Sequence, residues 1–272
     1  MLSIKQIFDI ASDARYSYIT ENIVEPFLMK KPKNSKKIQK ERKPLSEENL
    51  KKLFTSKLYT DKLKHTLTFA PEKYWIPIIA GYSGMRQNEI CQLYVEDLKS
   101  ITTDMGEIIW YFDLNEEKDK HLKNENAFRL VPLHPKLIEL GFIEYYNSIK
   151  NKQPRLWKNL RLHPKEERYN TDYGKNFMKY FRKHVTEEED QVFHSLRHNV
   201  GDQLMKNAVH YKLPKDLMNR IMGHEPDKDM TSVVYSQGYG VEELYEGIKT
   251  LDFKDLIHLK LNSTCAMLPF QN

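Results

Sequence analysis

The chain has 272 residues, 40% of them apolar and 30% charged, the make-up of a soluble globular protein able to bury a sizeable core. Its two cysteines, Cys91 and Cys265, form no C-x-x-C spacing, so neither a disulfide framework nor a zinc site is expected. The most apolar run, "YWIPIIAGY", is too short to span a bilayer, and the polar N-terminus lacks the apolar stretch of a signal peptide. These features point to a reducing cytoplasmic or nucleoid setting and to no membrane partner.

The net charge of +5 is unevenly spread. Residues 30–43, "KKPKNSKKIQKERK", hold eight basic residues and one acid, or +7, which leaves −2 for the other 258. Such a block is either a solvated linker or a strap along phosphates whose contribution to affinity falls with salt.

In chain order, residues 6–28 read as one helix with an extended exit before Pro26. The basic stretch with Pro32 and Pro44 reads as a linker. In "LSEENLKKLFTSKL", Ser46 is placed to cap a helix whose Leu50, Leu53, Phe54 and Leu58 share one face. In "AGYSGMRQNEICQL", Arg86 follows a small-residue turn and precedes a helical apolar pattern. "GEIIWYFDL" and "NAFRLVPL" are β-rich runs joined by the polar "NEEKDKHLKNE", which predicts a hairpin or small three-stranded sheet with a long mobile loop. Helical patterns follow at 134–150, 171–184, 194–207, 213–222 and 241–249. The fold class expected is α+β, mostly helical, with a small antiparallel sheet at one edge.

Four further pieces stand beside Arg86. In "FHSLRHNVGDQL", His194 and Arg197 are three apart and project from one helix face. In "MGHEP", His224 directly follows a glycine at a helix end; in "VVYSQGY", Tyr235 lies eleven residues beyond it. Lys123 sits in the hairpin loop ahead of "FRLVPLHP". Singly, each has a dull reading: a solvated arginine, a capping histidine, one of many lysines or tyrosines. His194 and His198 are four apart, but with serine at 195 they do not make the H-E-x-x-H metal pattern.

In this order and spacing the pieces resemble the tyrosine recombinase, or phage integrase, family over most of residues 45–250. "GMRQNEICQL" is similar to its first arginine box, and "LKNENAFRLVPLHPKLIELGF" to its hairpin lysine followed by the arginine–x–valine–proline–leucine strand. "HSLRH" with "GH" is similar to its second box, and "VYSQGYG" to its nucleophile segment. The resemblance implies a catalytic set of Arg86, Lys123, His194, Arg197, His224 and the nucleophile Tyr235, with no cofactor and no metal. It implies double-stranded DNA attachment sites as substrate, a homo-tetramer on DNA, DNA-bending accessory proteins as further partners, and integration or excision of a phage or other mobile element. It also implies that the "GYSG" turn lets the chain approach DNA closely.

These residue types suit the chemistry. Two guanidinium forks can hold the non-bridging oxygens of a phosphodiester bidentately and stabilise the charge that develops there. A tyrosine with pKa about 10 is only ~0.1% ionised near neutrality, so its deprotonation costs about 4 kcal/mol without a base or cationic neighbours. His194 is the candidate base or base-positioner, His224 a donor to the phosphate, and Lys123 the general acid for the leaving 5′ oxygen. The product is a 3′-phosphotyrosyl enzyme. One phosphoester replaces another, so rejoining needs neither ATP nor metal.

Several alternatives stay open in the sequence. Tyr239 is the rival nucleophile, and Lys118 and Lys120 compete with Lys123, whose usual following threonine is here an asparagine. "NENAF" replaces a more basic stretch, and His198 reads as structural. Glu89 either orients Arg86 or forms an ordinary intrahelical pair. The domain reading is a residual N-terminal helix over 1–29, a basic linker over 30–44, the catalytic domain over 45–250 and a tail over 251–272. Relatives carry a helical DNA clamp ahead of the linker. Its near absence here fits an excised fragment, a decayed element or a lineage without the clamp, and the tail is suited to packing on its own domain or a neighbouring protomer. A type IB topoisomerase-like activity and a non-cutting DNA-binding remnant are the competing functions.

Overall fold

A computed structural model describes residues 4–13, 41–60, 63–225 and 238–253. The chain divides into two compact units, Met1–Glu41 and Arg42–Asn272. In the first, α1 (Ile4–Ser12) begins two residues ahead of the long helix expected over 6–28 and overlaps its start, and the Ser12 hydroxyl donates to the Phe8 carbonyl at 2.9 Å. The rest of that stretch, and the basic block up to residue 40, lie outside the described residues.

The second unit opens with α2 (Glu47–Phe54), capped as expected: the Ser46 hydroxyl accepts the Asn49 amide, and Leu50, Leu53 and Phe54 are buried. After α3 (Leu63–Phe69) comes the axis of the core, α4 (Pro71–Ser83). The run "YWIPIIAGY" is this helix, apolar on every side because every side is packed. Trp75 meets Phe142 edge-on with centroids 5.0 Å apart, Tyr145 stacks on Trp157, and the Trp157 indole donates to the Ile90 carbonyl.

α4 ends at Gly84, which takes φ +66 and lies against Met222 and Val200 so closely that an added Cβ would sit 2.8 Å from the Met222 sulfur. Glycine is thus required by backbone conformation and by internal packing. The segment read as a "GYSG" turn is therefore mostly the last turn of α4, and its second glycine, Gly84, faces the protein's own helices. Then come the five-residue α5 (Gln87–Cys91), a 3₁₀ turn (Val95–Asp97), and strands β1 (Leu98–Thr102), β2 (Ile108–Leu114) and β3 (Arg129–Pro132).

The sheet is antiparallel in the order β1-β2-β3, with Leu98 opposite Phe112 and Phe112 opposite Val131. Alternation along β2 serves two cores. Phe112 and Leu114 enter the main one, while Ile109 turns to Val241 and Tyr245 on the opposite face.

The single helix expected over 134–150 is two, α6 (Pro135–Glu139) and α7 (Phe142–Ile149), with the break at Gly141. α8 (Asn170–His184), α9 (Ser195–Tyr211), α10 (Lys215–Met222) and α11 (Val241–Lys249) follow the predicted patterns. α9 runs four residues beyond its expected end, to a left-handed Lys212 just before Pro214. The architecture is α+β, mostly helical with one small antiparallel sheet. Among the described residues no helix is long and apolar enough to cross a membrane.

Candidate active site

Arg86 is the N-cap of α5, in extended backbone directly after the Gly84 turn. Its own amide donates to Glu89 Oε2 at 2.8 Å and its Nη1 to Glu89 Oε1 at 2.7 Å, so Glu89 does hold Arg86. The same carboxylate accepts Nη2 of Arg129 at 2.9 Å. Burial by itself would raise the Glu89 carboxyl, but the two arginines, Arg129 foremost, hold it below the ordinary carboxylate value.

The end of α10 ties these groups to the second box. Its last carbonyls lack helical partners, and three consecutive ones each take an arginine: Ile221 from Arg129 Nε at 3.0 Å, Met222 from Arg197 Nη2, and Gly223 from Arg86 Nη2 at 3.1 Å. Arg197 also donates to the carbonyl of Gly84. Gly223 stands at φ +62, and a Cβ there would lie 2.8 Å from Arg129 Nη1, so glycine is needed for the turn and for the arginine beneath it. The next residue is His224, whose amide closes the helix end on the Asn219 carbonyl. The order "GH" is thus a helix C-cap built over a guanidinium.

A guanidinium has five N–H donors. Arg129 uses all three of its nitrogens, on Ile221, Ala127 and Glu89, and its side chain has 0% exposure, so it supports the site from below. Among the described residues Arg86 uses only its two terminal nitrogens in side-chain bonds, and its side chain is 20% exposed on the wall of an open cleft of about 1000 Å³. That cleft is also lined by Lys123, His194 and Arg42.

Within the cluster, Arg86, Arg129 and Arg197 face one carboxylate, Glu89, a local charge of +2. Burial, followed by the fields of Arg86 and Arg129, pulls the Arg197 guanidinium below its ordinary value. His194 is pushed down to about 4 by burial and then by His198, Arg197, Arg42 and Arg86. His224 is lowered by burial and then by Arg197, Arg86 and Arg129. Both imidazoles are therefore neutral near pH 7, beside a desolvated positive charge that exceeds the negative charge around it among the described residues. His194 and His198 meet edge to face, with centroids 5.0 Å apart.

The three lysines separate clearly. Lys120 is buried, paired with Asp97, itself buried. Lys118 pairs with Glu96 at 2.5 Å over the Tyr94 ring. Lys123 is exposed at the cleft and has no ion pair among the described residues. The loop expected to be mobile is fastened along 118–122, short of that lysine. Tyr235 lies outside the described residues. Its rival Tyr239 is half-buried against the main core, and burial, Asp216 and Glu243 raise its hydroxyl pKa, which disfavours a phenolate.

Arg129 is the residue that sequence reasoning passed over, reading it only as part of a strand motif. Arg42 was visible only as one charge in a basic block.

The phage integrase family matches residues 58–239, 182 of the 272. The chain belongs to the phage integrase family. Its catalytic domain is that of the tyrosine recombinases, and it has the α+β fold of that integrase domain. No curated protein sequence matches the chain. Membership carries a role in DNA binding and recombination. The matched span includes every residue of the arginine cluster, and Lys123, His194, His224 and Tyr235 as well.

Proposed function

We propose that this integrase-family chain is a site-specific DNA recombinase that cuts and rejoins duplex attachment sites through a 3′-phosphotyrosyl intermediate, in the integration or excision of a phage or other mobile element. The observation that carries the reading is the net +2, among the described residues, of an arginine cluster whose Arg86 stands on the wall of the cleft. A phosphodiester supplies one negative charge in the ground state and more in the transition state; among the described residues Arg86 keeps an unused donor on the cleft wall for its non-bridging oxygens, and the buried Arg197 adds its charge from behind.

In this reading Tyr235 Oη attacks phosphorus while the bond to the 5′ oxygen breaks. The tyrosyl proton passes toward neutral His194, Lys123 protonates the departing oxygen, and His224 donates to the phosphate. The low pKa of His194 in the free site keeps it able to accept, and the incoming phosphate offsets the arginine field and raises its basicity. Arg42 supports the placing of residues 30–44 along the DNA as a basic strap. The catalytic domain spans 45–250, with 1–29 and 251–272 as flanking helix and tail, and the active assembly is a homo-tetramer on paired sites.

A covalent-trapping assay tests the reading. Duplexes from the DNA flanking the chain's own gene are nicked near candidate cleavage positions so that the cut strand diffuses away. An SDS-resistant adduct that Tyr235→Phe abolishes and Tyr239→Phe retains is the expected result. Salt-sensitive binding without any adduct refutes the recombinase reading, and an adduct formed without partner sites, with plasmid relaxation, replaces it by a topoisomerase.

A further inference from the structure

The loop from β2 to β3 carries Lys123, and the structure ties it down on both sides. Ahead of the lysine, Asp119 accepts the hydroxyls of Tyr94 at 2.8 Å and Tyr169 at 2.6 Å and pairs with Arg155. The Arg155 guanidinium is sandwiched between those same rings, 4.0 Å from one centroid and 3.9 Å from the other. Its Nη1 donates at 2.9 Å to the carbonyl of Gln92, the residue that closes α5. The Gln92 side chain in turn accepts the amide of His121 at 3.1 Å. Behind the lysine, the Ala127 amide bonds to the Asn124 carbonyl, and Arg129 donates to the Ala127 carbonyl.

α5 has Arg86 at one end and Gln92 at the other, five helical residues apart. The clasp therefore spaces the Lys123 backbone from the arginine that begins this helix. Asp119 is 41% exposed, so its ion pair is worth little to global stability. Three donors nevertheless converge on it, which is the arrangement expected of a group that sets a position.

We propose that Asp119, gripped by Arg155, Tyr94 and Tyr169, is a positioning residue that fixes where Lys123 meets the 5′ oxygen leaving the scissile phosphate. This rests on the reading of Lys123 as the proton donor. A lysine ammonium is a point donor on a flexible stem, so the placement of its backbone decides its reach, and a general acid works only within hydrogen-bond distance of its target.

The test compares two duplexes of one sequence, from the DNA flanking the gene, with oxygen or sulfur at the bridging 5′ position of the cleaved phosphate. As Tyr235 Oη bonds to phosphorus, the P–O5′ bond needs a proton delivered to its oxygen. The P–S bond breaks with its electron pair leaving on sulfur, whose thiol has a pKa of only about 8.5 and needs no acid. The rate of adduct formation in a single turnover is measured for the full chain, Lys123→Ala, Asp119→Asn and the gentler Tyr169→Phe. Each variant is compared with itself on the two duplexes, so any unfolded fraction cancels.

The sulfur-to-oxygen rate ratio of Lys123→Ala and of Asp119→Asn is expected to exceed that of the unaltered chain by ~10-fold or more, with Tyr169→Phe smaller in the same direction. Rescue of Lys123→Ala alone, or an Asp119→Asn that cuts the oxygen duplex normally, overturns the positioning role and leaves the Lys123 reading intact. Rescue of neither variant removes Lys123 as the acid and the clasp with it.

Discussion

Replacing Arg129 by methionine leaves the Glu89 carboxylate at 4% exposure without its stronger partner and strips donors from the carbonyls of Ile221 and Ala127. Breaking a buried ion pair on one side costs about 3–5 kcal/mol, because the remaining charge is neither solvated nor paired. With a urea dependence of about 3 kcal/mol per molar, the unfolding midpoint should fall by roughly 1–1.7 M. Arg129→Met combined with Glu89→Gln should recover at least half of that loss, since no charge is then stranded.

The pH dependence gives a second, independent sign. In the unaltered chain the Glu89 carboxyl lies below its ordinary value, so its contribution is present above an unfolded pKa of about 4.3 and is lost as pH falls. Without Arg129, burial dominates and the folded pKa rises above the unfolded one, so stability then falls as pH rises through that range. The gap between the two proteins should therefore widen between pH 4 and 7, as read by urea titration with a fluorescence signal. A gap under about 1 kcal/mol, or one independent of pH, would show that Arg129 is not the keystone of the cluster.

Three further outcomes are expected. The His194 imidazole should titrate near pH 4 by NMR in the free protein, so it contributes stability above an unfolded pKa of ~6.5 that is lost as pH falls from there toward 4; a value of 6 or higher refutes its placement beside the arginines. Arg86→Lys should lower single-turnover adduct formation by ~100-fold or more while shifting stability by less than about 1 kcal/mol, because the fork matters to the phosphate more than to the fold. Gly84→Ala should cost about 2 kcal/mol in thermal unfolding, from a left-handed backbone and a Cβ pressed on Met222; a neutral effect contradicts the packing of α4 on α10.

What could be read from the order of residues was what depends on neighbours. The Ser46 cap, the apolar faces of α2, α10 and α11, and the α+β class all rest on spacings of two to four residues. The family motifs in turn gave Arg86, Lys123, His194, Arg197 and His224 as candidates, and the pairing of Arg86 with Glu89 is itself a three-residue spacing. The break at Gly141 and the burial of all of α4 but Lys73 were harder to see, because an apolar run looks alike in a strand and in a central helix.

The rest was decided by contacts between residues distant along the chain. Arg129 finds its partners 40 and 92 positions away, and only the folded sheet brings it under the C-terminus of α10. Lys118, Lys120 and Lys123 are equivalent by composition and almost adjacent in sequence, yet Asp97 buries one, Glu96 holds another and the third is left at the cleft. Local patterning determines which side chains are offered and on which face. The desolvation and the nearby charges that separate a structural cation from one available for chemistry arise only when remote segments pack together.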